Sequence, residues 1–276
     1  MSLVPFPDPS PEDEKRLDET GGLESSGGKM SFLAHLDELR GRLIISVGTL
    51  LVGFLVAFLF TWPTGIPGFP VSPIFEFIMR PLQEILPDGG RLVYTEPAEA
   101  FFLYIKIAAL AGLILAIPVV LYQLWRFVAP GLYAREKRFA IPFVFFASGF
   151  FITGTLFSHF LLFPWAWRFF AGFSTDYMEF FPRIQPAFSL YVKLVLACGL
   201  VFQMPTLVFF LARVGAVTPG WLIRNTKYAI LLIFIFAAVL TPTGDPVTLT
   251  MMAAPMIVLY GLSIIIAWVF RRRGEG

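Results

Sequence analysis

The chain has 276 residues, of which 57% are hydrophobic and only 14% charged; soluble domains run nearer 45–50% and about 25%. Its mean hydropathy is +0.75, and its formal net charge of +2 is too small to point to a polyanion partner. These values exclude a soluble enzyme, a disordered protein and a nucleic-acid-binding domain, and with one cysteine, Cys198, no internal disulfide or cysteine-based zinc site can form.

Residues 1–29 carry seven acids against three bases, with Pro, Ser and Gly between them. Such a segment reads as a disordered acidic tail, and it lacks the basic-then-apolar order of a signal peptide. Met30 follows directly and offers a second start. A membrane domain over 30–270 comes next. Apolar runs of spanning length, about 20 residues, fall at about 43–62, 100–127, 139–163, 190–211 and 247–270, with a shorter one at 228–240. Between the first two, Ile74, Ile78, Leu82 and Ile85 recur at helical spacing, which predicts a short amphipathic helix. A basic tail, 271–276, closes the chain.

Six spans put the segments between them alternately on two sides. The side that holds the N-terminus carries thirteen Lys and Arg, among them Arg40, Arg42, Arg135 and Arg271, against four on the other. By the positive-inside rule both termini are expected in the cytoplasm. The acids outside the tail lie near span ends or in loops; none falls in the middle of an expected span. A small-solute secondary transporter, the alternative reading, needs carboxylates at mid-depth and is often built on a repeat. The most polar mid-span side chain is Gln203, which suits either an interhelical hydrogen bond or a part in binding or transport. No His-Glu-x-x-His, Gly-x-Ser-x-Gly or phosphate-loop motif occurs. Neither catalysis nor a cofactor or metal site is therefore expected. Charge gathers at the inner surface, in His35-Leu36-Asp37-Glu38-Leu39-Arg40-Gly41-Arg42-Leu43 and in Ala129-Pro130-Gly131-Leu132-Tyr133-Ala134-Arg135-Glu136-Lys137-Arg138. Glu38 and Arg42 stand four apart, a helix-supporting spacing.

The first of these segments resembles the amino-terminal signature of the TatC family, the polytopic receptor subunit of the twin-arginine protein translocase. Further matches follow in the family's order: Pro81, then Glu99-Ala100-Phe101 with Lys106, Pro118 and Tyr122-Gln123-Leu124-Trp125-Arg126-Phe127. Glu136-Lys137-Arg138, Phe163-Pro164, Phe202-Gln203-Met204-Pro205, Thr241-Pro242, Asp245-Pro246 and Pro255 continue it to about residue 270. The resemblance implies an all-α, glove-like concave bundle of six transmembrane helices with short fifth and sixth spans, in the cell inner membrane. It implies a receptor for twin-arginine signal peptides of folded precursors. Export would be driven by the proton-motive force, with TatA- and TatB-type single-span partners and other copies of the chain in the complex. Carried over by position, Glu38 and Glu136 are the recognition carboxylates, with Arg40, Arg42 and Phe127 in the same region. Pro81 marks a sensitive external loop, Gln203 is the polar residue of the concave face, and Thr241, Pro242 and Asp245 belong to the partner-docking turn. The chain departs from the family pattern at Gln203, where many members carry Glu, and at Leu249 and Gly261, which replace a Gln and an acid. Its Thr241-to-Asp245 turn is also one residue longer than in some members.

Overall fold

The computed structural model describes residues 32–61, 73–86, 91–128, 140–175, 177, 180–240 and 245–269. The tail at 1–29, Glu136, Thr241, Pro242 and the basic tail lie outside these residues. Contacts divide the chain after Gly41: the described part of the first unit is a single helical stretch, 32–41, and the second unit, Arg42–Gly276, holds everything below.

Helices form almost all of the described backbone. They are α1 (Phe32–Thr61), α2 (Pro73–Gln83), α3 (Pro97–Val128), α4 (Ala140–Phe157), α5 (Phe163–Ala171), α6 (Ile184–Val201), α7 (Met204–Val214), α8 (Pro219–Arg224), α9 (Thr226–Leu240) and α10 (Pro246–Val269). Helix is the structure expected of apolar runs in a bilayer, because it satisfies every backbone N–H and C=O within the segment. Five stretches among the described residues are long and apolar enough to cross: Leu36–Thr61, Pro97–Phe127, Ile141–Ala171, Ile184–Ala212 and Pro246–Val269. The hydroxyls in these runs bond back to carbonyls one turn earlier, as Ser46 does to Arg42, Thr153 to Gly149 and Ser263 to Leu259. A polar side chain so satisfied sits in apolar surroundings at little cost.

Two of the crossing stretches are interrupted, each at a proline. Between α4 and α5 the backbone widens into a π turn, Ser158–Leu162, and the Phe163 N–H donates to Ser158 O. Pro164 follows at once; it has no N–H and its ring crowds the carbonyl four residues back, which a wider turn relieves. Between α6 and α7 the chain turns at Phe202 and Gln203, just before Pro205. The end of α7 is closed by Gly215 at φ 80, with Gly215 N–H donating to Ala212 O and Ala216 N–H to Leu211 O. That left-handed cap favours glycine. At the start of α10, Asp245 Oδ1 accepts the Thr248 N–H at 2.8 Å, an N-cap placed just before Pro246.

The helices meet on small residues. A Cβ built on Gly53 of α1 would lie 2.6 Å from Gly112 O of α3, and one on Gly112 would lie 2.5 Å from Phe54 N. Ala57, Ala108 and Ala116, one turn away on either helix, are buried. The α4 and α6 helices repeat the arrangement: a Cβ on Gly154 would meet Cys198 O at 2.6 Å, and one on Gly199 would meet the Phe151 ring at 2.8 Å. Apolar side chains gain little from one another where lipid is equally apolar, so close backbone approach supplies the contact energy.

Gly112→Ala should therefore destabilise the protein by about 1–3 kcal/mol, the cost of forcing atoms into a filled space. Gly149→Ala, whose Cβ would meet nothing within 4 Å, should be near neutral. Thermal unfolding of the detergent-solubilised protein measures both.

Candidate functional site

Polar side chains are scarce in this fold, and three groups of them stand out. The first comprises charges near the opening of α1: Glu38 and Arg40 in the first unit, and Arg42 at the start of the second. Glu38 and Arg42 are half-buried and Arg40 exposed. Phe127, in the last turn of α3, is half-buried; in the same turns Trp125 packs on Phe143 at 6.3 Å between ring centres and the Arg126 guanidinium stands 5.8 Å from the Tyr122 ring centre.

The second group surrounds the π turn. It makes His159 a buried residue, with Nδ1 2.8 Å from Tyr191 Oη on α6. Phe77 of α2 lies flat on the imidazole, with ring centres 4.2 Å apart and planes at 11°. Pro81 sits inside α2, buried beside Ile78, Met79 and Leu82. The amphipathic helix expected from the spacing of Ile74, Ile78 and Leu82 thus forms and docks by its apolar face, with Pro81 inside it, and an exposed Arg80–Glu84 pair at 2.7 Å lies at its end. The Tyr191 partner of His159 stands 32 positions away, and no local spacing announces the pair.

The third group joins the segments that lead into α3 and α6. Val93 and Arg183 form an isolated parallel bridge, with Ile184 N–H donating to Val93 O at 2.9 Å and Val93 N–H to Pro182 O at 3.3 Å. Across it, Arg183 Nη2 donates to Glu99 Oε1 at 2.8 Å and to Thr95 Oγ1 at 2.6 Å. Glu99 Oε2 accepts the Thr95 N–H at 3.0 Å. The Glu99 side chain is 4% exposed and that of Arg183 50%. Glu99 opens a stretch that matches the family pattern and Arg183 reads as a charge at a span end, and nothing in the sequence pairs them across 84 positions.

Gln203 stands in the α6–α7 turn and donates from Nε2 to Ala147 O of α4 at 2.9 Å. The donor reaches a carbonyl of a neighbouring helix, the interhelical hydrogen bond that its sequence context allowed. Asp245, besides capping α10, is half-buried. No cluster of three or more His, Cys, Asp or Glu side chains able to hold a metal occurs among the described residues.

Long apolar helices packed on glycines, with acidic side chains kept to helix ends and linking segments among the described residues, define a polytopic helical membrane protein. The family model described as Sec-independent protein translocase protein (TatC) matches residues 34–255, and the chain belongs to that family. It is 41% identical over 247 residues to the Sec-independent protein translocase protein TatC of Desulforapulum autotrophicum, covering 90% of this chain and 87% of that one. Its identity to the TatC of Koribacter versatilis is 42% over 242 residues, covering 87% and 85%. A crystal structure of the twin-arginine translocase receptor TatC superposes with a TM-score of 0.70 at 35% identity, over 86% of this chain and all of that one. The protein is accordingly a multi-pass membrane component of a protein translocase and not an enzyme. That membership does not favour the small-solute transporter.

The His159–Tyr191 bond is open to direct measurement. His159→Phe and Tyr191→Phe should each cost about 0.6 kcal/mol, at most roughly 1.7. The double variant should cost little more than the larger single change, because both remove one interaction. A double-mutant cycle on thermal stability measures this.

Proposed function

We propose that this chain is the receptor subunit that recognises twin-arginine signal peptides of folded precursors and, with TatA- and TatB-type single-span partners, carries them across the cell inner membrane under the proton-motive force. It crosses six times, with α9 as the short fifth span and both termini in the cytoplasm, and works as one of several copies in the receptor complex. The observation that carries the reading is the family match over 34–255, which contains Glu38, Arg40, Arg42, Phe127, Glu136, Gln203 and Asp245. The printed description of the superposed crystal structure as a translocase receptor supports it.

The chemistry is consistent with that role. An arginine pair stays charged at all physiological pH and offers planar donor forks, which carboxylates accept best. Glu38 and Glu136 supply those carboxylates, and Arg40, Arg42 and Phe127 take part in the same recognition. Partly exposed ion pairs give only roughly 0.2–1 kcal/mol each, against the ~8 kcal/mol of micromolar binding. The apolar segment of the signal peptide must contribute the rest along the spans. Leu43, Leu51, Leu55 and Leu59 of α1 are all exposed, and they offer such a surface. Charge then sets specificity and apolar contact sets affinity.

Partner helices dock beside α9 and α10, around the Thr241-Pro242 and Asp245 turn. The 15 residues of α9 measure about 22 Å, against a hydrocarbon core of about 30 Å. A span this short thins the bilayer or needs covering by partners, and thinning at this edge eases the passage of folded cargo.

Two measurements test the proposal. Glu136→Gln should reduce the preference for Arg-Arg over Lys-Lys signals in site-specific crosslinking; equal crosslinking of both signals to the unmodified protein would contradict it. Insertion of four leucines into α9 should impair export of a folded precursor from membrane vesicles, and unchanged export would remove the thinning argument.

A further inference from the structure

We infer that Glu99 and Arg183 are positioning residues for transport, a clamp that sets the level at which α3 and α6 begin and that translocation requires after the signal peptide has docked. The inference rests on the receptor reading above.

The geometry carries it. The clamp has three layers: two backbone hydrogen bonds between residues 93 and 182–184, the Arg183–Glu99 ion pair, and the Thr95 hydroxyl and N–H that close the ring around it. One nitrogen, Arg183 Nη2, makes both side-chain bonds from that residue. Glu99 lies in the first turn of α3, and Arg183 immediately precedes α6. Each is therefore fixed to a rigid rod, and the bond between them sets the helix starts relative to each other. The working positions lie along the same rods: Phe127 ends α3, and α6 leads into the Gln203 turn. Gly53 of α1 meets α3 at Gly112, thirteen residues along α3 from Glu99.

Burial makes the pair asymmetric. Removal of the guanidinium leaves a carboxylate that is 4% exposed with only the Thr95 N–H among its clamp partners, whereas removal of the carboxylate leaves an arginine that is 50% exposed and can hydrate. Breaking a buried pair from the solvated side is the more damaging change, because the charge left behind has no water to replace its partner.

The test uses the whole translocase in membrane vesicles, with Arg183→Gln, Glu99→Gln, the double variant and Arg183→Lys. Arg183→Gln should lower the amount of folded protein by about tenfold or more, Glu99→Gln should lower it much less, and the double variant should recover most of the loss. Per folded molecule, signal-peptide crosslinking should stay at the unmodified level in Glu99→Gln and in the double variant while export falls. Arg183→Lys should restore export, because one ammonium can make both bonds that Nη2 makes. Normal export by the double variant would overturn the clamp, as would loss of crosslinking in parallel with export. Absence of crosslinking to the unmodified protein would overturn the receptor reading instead, and the order of folded amounts among the variants would still judge the clamp.

Discussion

The constraint on which this structure depends is the absence of a hydrophobic force between its helices. In lipid a leucine gains nothing by leaving the solvent, so helices hold together through close backbone contact and the few polar bonds that lipid cannot replace. Both devices are visible. Gly53 against Gly112 and Gly154 against the Cys198 carbonyl bring backbones to a separation that no Cβ would allow. Gln203 to Ala147 O, Tyr260 Oη to Leu222 O and His159 to Tyr191 supply the polar bonds.

The prolines act within the same constraint. In an apolar medium a lost backbone bond must be replaced locally, and the chain replaces each in a different way. Before Pro164 it opens a π turn, which aims His159 inward at Tyr191 and Phe77. Before Pro205 it turns at Phe202 and Gln203, which puts an amide side chain within reach of α4. Both breaks therefore place a polar side chain at a helix contact. The requirement to satisfy the backbone and the positioning of the rare polar groups are one feature of the fold.

The charges divide by task. Those near the opening of α1 are partly or wholly open to solvent. The Glu99–Arg183 pair is ringed by hydrogen bonds and half-shielded, as a fixed joint requires. Under the proposed receptor reading, both are needed: weak, specific contacts where a signal would be read, and rigid connections elsewhere, so that the forces of transport are not taken up in sliding between helices.

Read alone, the chain already gives the class of protein, its helical character, most of the spanning stretches and the family resemblance. Each rests on local information: the length of an apolar run, the period of the amphipathic α2, and motifs such as Phe202-Gln203-Met204-Pro205 in a set order. Tertiary structure decided which small and polar residues meet. Gly48 and Gly53 lie on the same helix and look alike in sequence, yet only Gly53 lies against another backbone. Glu99 and Arg183 are 84 positions apart, and His159 and Tyr191 are 32 apart. No periodicity links either pair, because the rotation and level of each helix follow from the packing of the whole bundle. Pro81 illustrates the difference: the spacing of Ile74, Ile78 and Leu82 already predicted its helix, and the fold added that Pro81 is buried against the bundle.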